Sequence, residues 1–134
     1  MERDPRLHRM SHEHHQALVL ARSARRAAGK VDPSAIWSEV TRRFRDELEP
    51  HFRIEEEILL PALRAAGRGD LVDRTLADHA ALRAIVVSED ALDERLRRFG
   101  ELLHDHVRFE ERELFETAQT VLDGAVLDRI AALS

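Results

Sequence analysis

His51-Phe52-Arg53-Ile54-Glu55-Glu56 and His106-Val107-Arg108-Phe109-Glu110-Glu111 are two copies of one pattern. In each, a histidine leads a glutamate by four residues, with an arginine between them and an apolar residue directly before the glutamate. Positions i and i+4 of an α-helix share a face one turn apart, so each copy aims an imidazole and a carboxylate the same way. Neutral nitrogen with anionic oxygen suits a hard-to-borderline cation such as iron or manganese. A single His-x3-Glu says little in a chain with 35% charged residues, because such pairs arise by chance. Two copies, each inside a long segment of apolar periodicity, say more.

Those segments are helices. Ser11, with Glu13 behind it, reads as an N-cap stronger than Asp4-Pro5, and Gly29 as a stop, which gives a helix over about 11–29. Its stripe is Met10, Ala17, Leu18, Ala21, Ala24 and Ala28, with His14 in the middle. His15 lies about 100° round, on the side of Arg22 and Arg26. Asp32-Pro33 starts a second helix that runs to about 66, kinked rather than broken by Pro50 and Pro61, since the period from Ile36 to Leu63 continues across both. Gly67-Arg68-Gly69 turns the chain into a third helix, about 70–87, with Leu71, Val72, Leu76, Leu82, Ile85 and Val86 inward and His79 on the same stripe. Ser88 is expected to cap a fourth, about 89–122, whose stripe is Leu92, Leu96, Phe99, Leu103, Leu114 and Val121, with His106 and Glu110. Val126, Leu127, Ile130 and Leu133 suggest a short closing helix. Loops of a few residues between long helices force antiparallel neighbours, so the expected fold is all-α: an up-down-up-down four-helix bundle with a short C-terminal helix. Residues 10–66 and 75–121 form a weak repeat, each a helix with a stripe histidine followed by a helix with His-x3-Glu.

Composition agrees. The 134 residues fit a single domain, 1–134, with 43% hydrophobic residues and few aromatics, so Leu and Ala must build the core. The absence of cysteine excludes disulfides, thiolate catalysis and Cys-ligated zinc or iron–sulfur sites. A net charge of −5 gives no basic footprint for nucleic acid. No apolar run is long enough for a bilayer and no signal peptide is visible at 1–7, so the expected compartment is the cytoplasm. Eight histidines are the unusual feature.

Each helix thus contributes a stripe histidine (His14, His51, His79, His106), and two add a carboxylate, Glu55 and Glu110. A glutamate on a core stripe costs several kcal/mol unless partnered. A buried Glu–Arg or Glu–His pair would satisfy one such motif; two metal ions bridged by carboxylates satisfy all six groups at once, and bundle cores host such sites. His8, His12 and His104 read as solvated. Glu56, Glu57, Glu111 and Arg112 read as exposed charge, Glu113 as an outside candidate for an extra ligand, and Trp37 as end-packing.

Together with Ser11-His12-Glu13-His14-His15-Gln16-Ala17-Leu18 and Asp78-His79-Ala80-Ala81-Leu82-Arg83, the two motifs resemble the hemerythrin-like HHE cation-binding domain over essentially the whole chain. The resemblance implies a non-haem di-iron centre, oxo- or hydroxo- and carboxylate-bridged. Glu55 and Glu110 would match its bridging carboxylates, and His51, His79, His106 and either His14 or His15 its terminal ligands. Periodicity favours His14; the spacing from His79 to Leu82 is matched by His15 and Leu18. Oxygen-carrying hemerythrins have a His-x3-His pair on the third helix, whereas Thr75 and Arg83 flank His79 here. One iron is therefore a nitrogen short unless His15, a water or another carboxylate fills in, which speaks against reversible oxygen carriage.

The leading expectation is a protein that binds or senses dioxygen, nitric oxide or peroxide, or handles iron, with a small diatomic ligand or peroxide as partner. The alternative is a di-iron enzyme turning over peroxide or nitric oxide. Manganese or zinc suit the same donors.

Overall fold

The computed structural model describes residues 2–30 and 32–134. They form five helices and no strand: α1 (His8–Ala27), α2 (34–65), α3 (Gly69–Val86), α4 (92–121) and α5 (Gly124–Leu133). A 3-10 turn, Pro5–Leu7, leads into α1. No helix among the described residues is long and apolar enough to cross a membrane.

The first helix begins earlier than its cap signal suggested. Asp4 accepts a hydrogen bond from the Arg6 amide and Pro5 takes the first helical position, so this pair, not Ser11, starts the helical run. Leu7 and Met10 are fully buried, which extends the apolar stripe backwards. Ser11 instead donates its hydroxyl to Glu111 of α4. The start of α4 also differs. Ser88 accepts from the Asp90 amide in the loop, and α4 begins only at Leu92.

α2 runs unbroken past both prolines. Two of its turns are π turns, Phe44–Leu48 and Glu55–Leu59, closed by the Glu49 and Leu60 amides. Pro50 and Pro61 each follow directly, so the bond that proline cannot make falls where the ladder is already loosened. A third π turn, Glu110–Leu114, interrupts α4 without any proline. Two of the three therefore begin at the glutamates of the two motifs. Gly67, at φ +84°, ends α2: the Arg68 amide bonds Leu63 and the Gly67 amide bonds Arg64, the 6→1 and 5→2 pair that closes a helix with a left-handed residue.

α1 packs most extensively on α4, and α3 packs on α4 and on the end of α2. The α1–α4 approach is close at Gly100, where a Cβ would come 2.6 Å from the Ala21 carbonyl oxygen. α5 covers the end of the bundle beside the 3-10 turn and the second π turn of α2. Two apolar clusters result, one around Phe44, Phe52 and Phe99 and one around Leu59, Phe115 and Leu127. Leu76 and Val121, expected inward, are 39% and 46% exposed. In α3 the inward place belongs to Thr75, on the face of Leu71 and His79. In α4 the π turn advances the register by about one residue, so Phe115 and Ala118 are buried and Val121 turns out.

Candidate metal centre

His14, His51, Glu55, His79, His106 and Glu110 are all buried, on four helices. They form two overlapping groups of ligand atoms, each within 4.8 Å of one another. One group is His14, His51, Glu55 and Glu110; the other is Glu55, His79, His106 and Glu110. The two glutamates belong to both. His15 is exposed and belongs to neither, as are Glu57, Arg112 and Glu113. His8 and His12 are exposed, and His104 faces Asp105 at the surface. Trp37 packs edge-on against Phe99, under the Arg95 guanidinium.

Every inner histidine presents Nε2 to the glutamates. His14 Nε2 lies 2.6 Å from Glu110 Oε1, and His106 Nε2 lies 3.0 Å from Glu110 Oε2. His79 Nε2 is 3.1 Å and His51 Nε2 3.4 Å from the two oxygens of Glu55. Yet both Glu55 oxygens, Glu110 Oε2 and Nε2 of His79 and His106 are buried without an aligned hydrogen bond. Only His14 Nε2, His51 Nε2 and Glu110 Oε1 find partners within the cluster; carboxylate oxygens and imidazole nitrogens that converge and are otherwise left unsatisfied fit the donor set of a cation.

Every inner histidine also turns Nδ1 to a carboxylate, and each of these carboxylates comes from another helix. Glu13 of α1 stands 3.1 Å from His51 of α2, and Glu56 of α2 stands 2.7 Å from His79 of α3. Asp78 of α3 stands 2.9 Å from His106 of α4, and Glu111 of α4 stands 2.7 Å from His14 of α1. The relay runs once round the four helices. An Nδ1–H donated to a carboxylate fixes the tautomer that leaves Nε2 free for a metal and raises its basicity. Glu56 and Glu111, read from sequence as exposed charge, are therefore part of the site. Sequence reasoning missed all four acceptors. Each is the immediate chain neighbour of a ligand candidate, and that adjacency was the available signal.

Electrostatics follow from this crowding. Burial alone would lower the imidazole pKa values, but the facing carboxylates overcome it. His79 is raised to about 9 through Glu110 and Glu55, and His106 to about 10 through Glu110 and Asp78. Against burial, Glu110 and Glu111 raise His14, and Glu55 with Glu110 and Glu13 hold His51 well above the usual range. Burial would raise Glu110, but His106 and the other histidines hold it well below the carboxylate range. Without a cation these shifts favour protons on the histidines beside an ionised Glu110, and metal binding would displace them.

The family model for the hemerythrin HHE cation-binding domain matches residues 5–118. The chain belongs to that family. Comparison with curated proteins and with solved structures finds no match. Within this HHE domain, α5 lies beyond the matched range. Membership implies a metal-cation site, and the buried His/Glu cluster fits one. Neither neighbour of His79 on the α3 face adds a nitrogen donor. Thr75, one turn before, donates its hydroxyl to the Leu71 carbonyl. Arg83, one turn after, grips Glu49 and Glu56.

Proposed function

We propose that this HHE domain is a dinuclear non-haem iron domain that binds or senses a small oxidant or diatomic ligand: dioxygen, nitric oxide or peroxide. In this reading Glu55 and Glu110 bridge two ions, His14 and His51 complete one position, and His79 and His106 complete the other. His15 stays outside, because only His14 has its nitrogens against the glutamates. Up-down-up-down order for α1 to α4, with α5 as an end cap, belongs to the same reading and is supported by the short connections and the packing of α1 and α3 on α4.

The observation that carries the ligand class is a cavity of about 150 Å³ reaching His14, His51, His106 and Glu110. Sites for drug-sized ligands run to about 300–1,000 Å³, so this one suits a small molecule. Ala17, Leu20 and Phe52 give it apolar walls, while Gln16, Arg43 and Glu47 lie along its polar side. When bound, a ferrous pair supplies electrons and open coordination positions to such a ligand. The chain's own part is to orient the four imidazoles through the carboxylate relay and to restrict water.

Anaerobic, iron-loaded, reduced protein mixed with air or nitric oxide tests this. A persistent visible charge-transfer band is expected; iron-loaded protein whose spectrum no such ligand changes would overturn the reading. Thr75, standing where a further nitrogen donor would help saturate one ion, favours a second reading, a peroxide- or nitric-oxide-consuming enzyme. Rapid bleaching with many equivalents of peroxide consumed would select it.

A further inference from the structure

The two metal positions are equal in donors but unequal in what holds and covers those donors. The position of His79 and His106 is the more covered, for His79 above all. Phe52 stacks on His79 at 3.8 Å between ring centroids and meets His106 edge-on at 5.8 Å. Both outer carboxylates have arginines behind them. Arg83 binds Glu56 with both terminal nitrogens, at 2.9 and 3.2 Å, and also holds Glu49; Arg74 stands 3.5 Å from Asp78. The bidentate, charge-assisted Arg83–Glu56 pair fixes its carboxylate in angle as well as distance.

The position of His14 and His51 faces the cavity with both its histidines; of the other pair only His106 borders it, and His79 and Glu55 do not reach it. His14 is supported, since Glu111 is joined by Ser11 and by Arg3 at 3.6 Å and Phe115 stacks on the ring. His51 is not. Its outer partner Glu13 is 39% exposed, against 24% for Glu56 and 14% for Asp78. Among the described residues no arginine or lysine stands against Glu13, and no ring stacks on His51 in parallel.

We infer that the two ions exchange unequally: the ion at His14 and His51 enters and leaves through the cavity, with the Glu13–His51 pair as its movable side, while the ion at His79 and His106 is retained. This rests on the dinuclear reading above. Outer carboxylates typically govern metal affinity by about 10–100-fold, so the difference in support is large enough to separate the two rates.

Protein loaded with two equivalents of manganese(II) and mixed with excess EDTA tests it, with metal per chain measured by mass spectrometry after timed desalting. Content should fall quickly from two to one and then slowly, with rates at least tenfold apart. The half-depleted protein should show the electron paramagnetic resonance of a single, uncoupled manganese. Glu13→Gln should speed the first step alone and Glu56→Gln the second alone. Loss of both ions in one phase, or a Glu56→Gln effect confined to the first step, would overturn the inference while leaving the dinuclear centre intact. The wild-type time course decides even where a variant folds poorly. Protein that never takes more than one ion would overturn the dinuclear reading, and this inference with it.

Discussion

The α1–α2 half and the α3–α4 half of the centre are built to one plan. Each half offers two histidines, shares Glu55 and Glu110, and supplies a carboxylate from the residue before its first histidine, Glu13 or Asp78. They differ in what lies behind that plan. One half turns both its histidines to the cavity; the other reaches it with His106 alone, and its His79 is covered by Phe52 and backed by Arg83 through Glu56. Donor identity alone therefore does not distinguish the two halves; the neighbours that fix the donors do.

Changing what the halves share should have the largest effect. Glu55→Gln and Glu110→Gln each remove a charge that both groups use, and a neutral amide cannot bridge two cations, so both variants should lose metal from both positions. Two ions retained per chain, by elemental analysis, would separate the halves and refute the bridging roles.

Removing metal from the native chain should come next. A ligand at about a thousand times its Kd stabilises by roughly 4 kcal/mol. Chelation should therefore lower the melting temperature by roughly 10 °C or more, since each kcal/mol moves a domain of this size by a few degrees. An apoprotein melting with the loaded form would mean that the proton-balanced cluster needs no ion.

The metal-free protein should also respond to pH through the α3–α4 half. His79 and His106 have folded pKa values of about 9 and about 10, above the ordinary 6.5. Their protonation favours the folded state fully below about pH 6.5, and this contribution is lost as pH rises through 9 to 10. Apoprotein melting temperature should fall across that window, while apparent metal affinity rises because fewer protons must leave. Denaturant melts and metal titrations at pH 6.5, 8 and 9.5 check both signs; apoprotein stability that climbed with pH would refute the protonated cluster.

A smaller effect should distinguish the halves by packing. Gly100→Ala sets a methyl against the Ala21 carbonyl and the Arg25 backbone of α1. Overpacking costs typically 1–3 kcal/mol. Displacing α1 moves His14 and not His79, so manganese release should quicken in the first step and stay unchanged in the second. Smallest of all, His15→Ala should leave metal content intact and stability within about 0.5 kcal/mol, as for ordinary surface positions. His14→Ala should cost the α1–α2 half its ion, and the reverse outcome would rotate α1 by one residue.

Much of this was legible in the sequence, because an apolar stripe at 3.6-residue spacing reports which side of its own helix is buried. That periodicity singled out His14, His51, His79, His106, Glu55 and Glu110, and the cost of burying charge made a cation their natural partner. It favoured His14 over His15, and in the structure His14 is the one among the buried donors. Periodicity cannot see the turns where the period changes. The π turn at Glu110 adds a residue to one turn of α4, which is why Val121 was misplaced. Nor can it see across helices. Glu56 and Glu111 look like solvated charge on their own helices and become partners of His79 and His14 only when α3 and α1 are laid beside them. The sequence alone determined which groups must be buried together, since hydrophobic patterning acts within each helix. Only the tertiary structure decided which half would be braced and which left open, because that depends on side chains brought together from different helices.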